Sequence, residues 1–320
     1  MAHTKVRRSG LTMPIVTPRF VDNAWRRGCD FVLLDLEDSV PQNRKDYART
    51  LVKDAIPNVS KGGTEAFTRI NHEHMQADTE AVVWPGLKRI KYPKTETADE
   101  VRALDALITR LEKERGIVPG TIEIDAGIET ALAVANVYDI ASASPRIKEF
   151  GATNGGYDMS RDLGVEMFVP YDQFVYLKGE AQLAARALGL GVRASPFVAN
   201  TTGSVSDGDR ALRQAEAARA CGIRLGGGGL NPAVVESHNK GYTPSAENVR
   251  DAHWVLEQFE RLQATNEPWL EAEGRVIDRY EAQRARDMLA WAELCAARDR
   301  EKAEAVTRVQ AVMALKNKSV

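Results

Sequence analysis

The sequence predicts an α/β protein: a (β/α)8 barrel followed by a C-terminal helical extension. Short β-rich runs alternate with amphipathic stretches about eight times within roughly 250 residues, the rhythm and length of a closed barrel of parallel strands. No run leads into a G-x-G-x-x-G loop, which weakens the alternative of an open doubly wound sheet. Near the end the alternation stops and the chain turns helical. These observations divide the chain into a barrel over residues 1–265 and an extension over residues 266–320.

The β-rich runs fall at residues 11–16, 31–36, 66–70, 89–92, 121–124, 147–151, 192–198 and 223–225. The second is almost wholly apolar, as a strand covered on both faces requires, and the fourth is the weakest. Residues 97–111 carry Val101, Leu104, Ile108 and Leu111 at helical spacing, with Asp99, Glu100, Arg102 and Asp105 elsewhere on the wheel. Residues 129–140 repeat that pattern with Ala131, Leu132, Ala135, Val137 and Ile140, and residues 173–188 and 209–220 are Ala-rich helices. Thr243 or Ser245 caps a further helix, with Pro244 suited to its first turn. That helix runs to Ala264, where Thr265-Asn266-Glu267-Pro268 breaks it. Residues 279–314 are helical again, and their stripe of Met288, Leu289, Trp291 and Leu294 must be buried on the barrel or on a neighbouring subunit.

The 320 residues hold 43 Lys+Arg against 45 Asp+Glu, a formal charge of −2. Such a balance argues against nucleic acid as the main partner and leaves room for a small anionic ligand in a local pocket. No apolar run approaches the roughly 20 residues that cross a bilayer, so no membrane partner is expected. The first residues lack the apolar stretch of a secretory signal. Cys29, Cys221 and Cys295 are far apart, odd in number and without a C-x-x-C spacing. Reduced thiols in a cytoplasmic protein are therefore expected.

Active sites of such barrels lie at the C-terminal strand ends. Asp35, Glu37 and Asp38 follow the second run, Arg69 and Asn71 the third, and Lys94 the fourth. Glu123, Asp125 and Glu129 lie at or after the fifth, Asn154 and Asp158 after the sixth, and Gly226-Gly227-Gly228-Gly229 after the eighth. Several carboxylates in one pocket repel unless protons or a cation offset them. With no histidine or cysteine among them, hard oxygen donors suit Mg²⁺ or Mn²⁺, which needs only one or two carboxylates plus waters. Glu129 and Asp158 would supply that pair. Each also has a purely structural reading: Glu129 with Thr130 begins a helix, and Asp158 serves a turn. Arg69, inside a buried run, needs an anionic partner, either Glu37 or a substrate carboxylate. The glycine run offers bare amides to a ligand or simply makes a crowded turn. His72 and His74 read as solvated loop residues. No G-x-S-x-G elbow is present, so nucleophilic hydrolysis has little support.

In order along the chain, Arg8-Ser9-Gly10-Leu11 with Met13-Pro14, the Asp35-Leu36-Glu37-Asp38-Ser39-Val40 segment with Lys45 and Arg49, Arg69-Ile70-Asn71, Pro93-Lys94-Thr95-Glu96 and Gly127-Ile128-Glu129-Thr130 form a series of motifs. Asp158 with Asp162-Leu163-Gly164, Asn231-Pro232, Tyr242-Thr243-Pro244-Ser245-Ala246-Glu247 and Gly274-Arg275-Val276-Ile277-Asp278 continue it. In this series the chain resembles the citrate lyase beta-subunit-like proteins of the HpcH/HpaI aldolase superfamily, along nearly its whole length.

The resemblance implies a (β/α)8 barrel that assembles as a homo-oligomer, a trimer or hexamer. It also implies Mg²⁺-dependent cleavage or formation of a carbon–carbon bond next to a carbonyl, often in acyl-CoA thioesters such as malyl-CoA or citramalyl-CoA. Glu129 and Asp158 would be the metal ligands. Arg69 would contact the substrate carbonyl or carboxylate, with Glu129, Asp38 and Lys94 also around the substrate. Glu37 and Asp38 would orient Arg69 or hold metal-bound waters, and Asp278 would reach a neighbour's site as acid/base. The sequence departs from the family at Tyr157, which replaces a glutamate behind Asn154-Gly155-Gly156. It departs again at Leu230-Asn231-Pro232, in place of Ile-His-Pro, and in the Gly226–Gly229 run, which lacks the family's lysine. These departures leave open an aldolase for free 2-oxo or hydroxy acids, a thioesterase on the same scaffold, or a non-autonomous subunit of a citrate-lyase-like complex.

Overall fold

In the computed structural model, residues 5–151, 157–166, 173–193, 206–229 and 231–318 are described. Strands β1 (Gly10–Pro14), β2 (Phe31–Asp35), β3 (Glu65–Arg69), β4 (Leu87–Tyr92) and β5 (Glu123–Ala126) pair in sequence order, all parallel. Two short pairs complete the set: β6 (Glu149–Phe150) with β7 (Gly191–Val192), and β8 (Gly228–Gly229) with β1. The Ile124 N–H donates to Arg146 O at 3.1 Å, tying β5 to the approach of β6, and a bridge joins Arg193 to Leu225 between β7 and β8. The ring closes, and the fold is the (β/α)8 barrel that the alternation predicts. Beyond Arg193, the predicted seventh run lies outside the described residues.

Alternation along the strands separates two cores. Val32, Leu34 and Ala66 point outward and pack with Ala48, Val52 and Ile56 of the helix Lys45–Ser60. Phe31, Leu33 and Phe67 point inward as a separate cluster, with the two Phe rings stacked at 4.7 Å. The interior is mostly charged. Arg7 and Arg89 flank Phe67 and engage Glu123 and Glu149 at 2.5–3.3 Å, with Glu65 on Arg7 Nε. This cluster sits at the N-terminal strand ends, so Glu123 belongs to the barrel floor and not to the mouth.

Part of the glycine run is strand β8 itself, and the described part is not a positive-φ turn. A Cβ on Gly226 would stand 1.8 Å from Arg8 O, and one on Gly10, across from Gly228 in the ladder, would stand 2.1 Å from the Phe31 ring. Glycine is needed at Gly226 because the chain leading into β8 runs close against Arg8 ahead of β1, and at Gly10 because the inward Phe31 ring of β2 fills the space.

The helices follow their caps. Thr97 forms a capping box with Glu100 ahead of Ala98–Glu114, and Ser245 one with Asn248 ahead of Ala246–Gln263. The helix expected over residues 129–140 is broken at Asn136 into Ala131–Ala135 and Val137–Ser142. Thr130 caps the first piece, which leaves Glu129 in the preceding loop.

An antiparallel hairpin, β9 (Trp269–Ala272) and β10 (Arg275–Asp278), stands where the sequence shows only a break. Its tight turn has positive φ at Glu273 and Gly274. The C-terminal helix Arg279–Lys318 then crosses the barrel floor. Lys302 Nζ binds Gly28 O at 2.8 Å and Asp30 Oδ1 at 2.6 Å, Arg298 donates to Asp30 O and Gly63 O, and Trp291 Nε1 donates to Tyr242 O at 2.9 Å. The buried stripe is Ala282, Ala285, Trp291, Cys295, Lys302 and Ala305, whereas Leu294, expected in it, is exposed. Among the described residues no helix is long and apolar enough to cross a membrane.

Candidate active site

The mouth is built outward from a ladder position. Asp35 and Arg69 are partners across β2 and β3. Asp35, wholly buried, accepts from Arg69 Nε and Nη2 at 2.7 Å each, from Glu37 N, and from Ser39 N and Oγ. Burial opposes its ionisation, but these donors, Arg69 foremost, hold its carboxyl below the usual range. The main partner of Arg69 is therefore Asp35. Glu37 Oε2 is second, 2.7 Å from Nη1 but without hydrogen-bond alignment, and Asp38 third at 3.3 Å.

The loop after β2 is pinned from behind. Lys45 Nζ donates to Leu36 O, Glu37 O and Asn71 Oδ1 at 2.6–2.8 Å, and Asp78 accepts from both nitrogens of Asn71. Glu37 is thus held facing the mouth, where Lys94 Nζ meets its Oε1 at 2.8 Å. Burial pushes the Glu37 carboxyl up despite Arg69 and Lys94. Burial opposes the charge on Lys94, yet Glu37 and then Asp158 hold its ammonium above the usual lysine range.

Lys94 itself has φ 50°, a left-handed conformation unusual for lysine. It is locked by Thr95 N to Gly127 O and Gly127 N to Tyr92 O. Strain of this kind concentrates at functional sites. Glu129 is buried, with Oε1 3.2 Å from Lys91 Nζ and Oε2 3.3 Å from Lys94 N. A Cβ on Gly127 would come within 2.9 Å of Glu129 Oε1, so that glycine makes room for the carboxylate. Asp158, in the first turn of Tyr157–Leu163, lies 3.6 Å from Lys94 Nζ and is about one-third exposed. Lys94 therefore links Glu37, Glu129 and Asp158, which come to one side of the molecule.

Below the mouth lies a chamber of about 190 Å³, lined among others by Arg69, Lys91, Asp125 and Arg193. Lys91 and Arg193 are absent from the sequence-derived site. The alternation of Arg89 and Lys91 with Ile90 and Tyr92 was the signal for Lys91. Arg193 pairs with Asp125 through both carboxylate oxygens, one at 2.6 Å, which ties Asp125 up inside the barrel.

Other expectations change. His72 is half-buried, with Nε2 2.9 Å from Glu100 Oε1 and its ring stacked on Tyr92 at 5.1 Å, so it is not a solvated loop residue. Asp278 is not brought to the mouth of its own chain: its Oδ1 caps the C-terminal helix through Tyr280 N and Glu281 N at 2.8 and 2.9 Å. Asn154, Gly155, Gly156 and Leu230 lie outside the described residues, as does the side chain of Tyr157.

Among the described residues no group of three or more His, Cys, Asp or Glu stands ready to hold a metal ion. The donor set nevertheless fits a hard divalent cation. Glu129 and Asp158 offer carboxylate oxygens, ammoniums already hold positive charge there (Lys91 beside Glu129, Lys94 between Glu37 and Asp158), and Glu37 Oε2 is a buried acceptor with no hydrogen-bond donor.

Residues 8–226 match the family model described as HpcH/HpaI aldolase/citrate lyase. The chain belongs to the HpcH/HpaI aldolase/citrate lyase family. Membership makes it an enzyme of the carbon–carbon lyase kind. The chain is 30% identical over 292 residues to citrate lyase subunit beta of Leuconostoc mesenteroides subsp. cremoris, covering 90% of this chain and 94% of that protein. It is 27% identical over 313 residues to an L-malyl-CoA/beta-methylmalyl-CoA lyase of Cereibacter sphaeroides, covering 91% and 96%. The crystal structure of CitE from Mycobacterium tuberculosis, in complex with magnesium, acetoacetate and coenzyme A, shares the fold. Its TM-score is 0.68 at 21% identity, covering 92% of this chain and 100% of that one.

Proposed function

We propose that the protein is an Mg²⁺-dependent lyase, Mn²⁺ serving as an alternative ion, that cleaves or forms a 3-hydroxyacyl-CoA thioester of the malyl-CoA or citramalyl-CoA type. One observation carries this reading: Lys94 draws Glu37, Glu129 and Asp158 together beside Arg69 at the barrel mouth, in a chain of a lyase family. Cleavage takes the hydroxyl proton, breaks the adjacent carbon–carbon bond and leaves the electron pair as an enolate, which is then protonated. Arg69, fixed by Asp35, presents a permanent positive charge to that enolate or to a substrate carboxylate. Glu37, shared between Arg69 and Lys94, holds both cations in place. Asp38, more exposed, borders the entry. Glu129 and Asp158 would hold the ion, whose contribution when bound is Lewis acidity at the oxygen that becomes the carbonyl. The proton acceptor would be Asp278 of a neighbouring copy, since in its own chain that carboxylate serves the floor-side helix. A homo-oligomer follows from that assignment. The chamber beneath the mouth suits a few-atom acid and leaves a thioester tail outside.

A second reading, an aldolase for free 2-oxo acids, is favoured by the same chamber, because Arg69, Lys91 and Arg193 make its wall rich in cations. Incubation with malyl-CoA and Mg²⁺, followed by mass spectrometry, decides. Acetyl-CoA and glyoxylate, lost in Glu129→Ala, support the lyase. Free CoA with intact malate means hydrolysis. Cleavage of free hydroxy acids alone supports the second reading. Activity only with an acyl-carrier partner would make the chain a dependent subunit. A fully active monomer would remove the Asp278 assignment.

A further inference from the structure

A second cleft, of about 680 Å³, lies at the end of the barrel opposite the mouth. It runs between the segments leading into β7 and β8 and the C-terminal helix. Its volume falls within the roughly 300–1,000 Å³ of small-molecule sites. Three arginines from successive elements converge there: Arg186 at the end of the helix Val175–Ala187, Arg219 at the end of Gly208–Ala220, and Arg224 just before Leu225. Each is oriented by a backbone carbonyl. Arg186 Nη2 donates to Gly222 O at 2.8 Å, Arg219 Nε to Gly241 O at 3.0 Å, and Arg224 Nη2 to Asp287 O at 3.1 Å.

The acids nearby do not balance them. Among the described residues five arginines line the cleft against three acids: Asp251 is engaged by Arg275, Glu281 by Arg284, and Asp287 is the third, while Glu216 supports Arg219 from outside the lining. Burial lowers the pKa of Arg219 and of Arg224; Glu216 opposes this at Arg219, and at Arg224 Asp287 opposes it while Arg186 adds to it. An anion entering the cleft would offset the excess positive charge of its lining. The helix on the opposite wall carries Ala285, Met288 and Trp291 among Glu281, Arg284 and Asp287, so its apolar strip can face the non-ionic part of a ligand.

We propose that this cleft is a second binding site, for a small phosphate ester or polyphosphate, built from Arg186, Arg219 and Arg224 against the C-terminal helix. Guanidinium forks match phosphate oxygens bidentately. Because the helix forms one wall, an occupant would also tie the extension to the barrel.

Arg224 stands over the Trp291 ring at 5.5 Å, so drawing it toward an anion changes the environment of that indole. The probe is pyrophosphate, titrated into the full-length protein in Mg²⁺-free buffer, with sodium chloride at matched ionic strength as reference. Saturable change in tryptophan fluorescence is expected, with isothermal calorimetry giving the same affinity. Arg186→Gln, an exposed position, should weaken binding about fivefold or more, and Arg219→Lys, which keeps charge but loses the fork, should weaken it similarly. Lys94→Gln at the mouth should leave it unchanged. The proposal is overturned if pyrophosphate does no more than the matched salt. It is equally overturned if Arg186→Gln and Arg219→Lys bind like the parent, or if Lys94→Gln abolishes the signal.

Discussion

Asp35 and Arg69 face each other across β2 and β3, joined by two hydrogen bonds of 2.7 Å. The ladder register itself aims the arginine. With Nε and Nη2 taken by Asp35, Nη1 is left toward Glu37 and Asp38, at the rim of the barrel mouth. A charge held this way is preorganised and needs little rearrangement during reaction.

Replacing Asp35 by Asn keeps the volume but removes the charge opposite a largely buried guanidinium. Breaking a buried pair costs about 3–5 kcal/mol when nothing compensates. Glu37 compensates in part, so a loss of about 2–3 kcal/mol in urea unfolding is expected, with turnover reduced about 100-fold. Arg69→Lys keeps a charge but loses the fork, and should lower kcat by a comparable factor while shifting KM less. Equal activity of both variants and parent would show that the register does not serve the site.

Glu37 gives an opposite sign for stability. Its folded-state pKa is raised by burial, so the folded protein binds that proton more tightly than the unfolded chain does. Its contribution is therefore favourable at low pH and is lost as pH rises above the unfolded value near about 4.3. Glu37→Gln retains an acceptor for Lys94 without the buried charge. It should melt higher than the parent at pH 7, converge with it near pH 4, and lose activity. Thermal melts at the two pH values, beside a turnover assay, test this directly.

At the floor the linkage runs the other way. Glu123 is desolvated, but Arg89 and then Arg7 hold its pKa well below the usual carboxylate range. That stability is present above the unfolded pKa and disappears as pH falls through the depressed folded value. Glu123→Gln should cost about 3–5 kcal/mol at neutral pH, and the gap to the parent should narrow in acid. Equal guanidinium midpoints at pH 7 would mean that Glu65 and Glu149 suffice for both arginines.

Strands β2 to β5 were legible because each is a run of several residues bounded by turn chemistry, the apolar spacing of Val101, Leu104, Ile108 and Leu111 marked one helix, and Ser245 was one of two candidate caps for another. Strands β6, β7 and β8 are described as two residues each, and single contacts such as Arg193 with Leu225 close the ring. Such contacts leave no periodic trace. The mouth residues Glu37, Lys94 and Glu129 were visible from their places after strands. The Asp35–Arg69 pairing was not, because register is a relation between strands. Glu123 was misplaced by a boundary: the run read over residues 121–124 put it near a strand end, whereas β5 begins at that residue. The hairpin β9–β10 was missed because four-residue strands around Glu273-Gly274 show too little alternation to register.

The floor-side helix offers a last test. Lys302 is buried and binds Asp30 Oδ1 and Gly28 O, while Arg8 holds Asp30 from the other side. Lys302→Met removes one of the cations around a fully buried aspartate and strands a carbonyl. Because Arg8 remains, the cost should be about 2–3 kcal/mol, not that of an unpaired buried charge. The barrel ladders do not pass through Lys302. Loss should therefore be local: amide protons over about residues 295–318 should exchange faster, by up to about 100-fold, while β2 and β3 keep their protection. Hydrogen exchange read by mass spectrometry separates the two cases, since uniform acceleration across barrel and helix would show that the extension and barrel unfold as one unit.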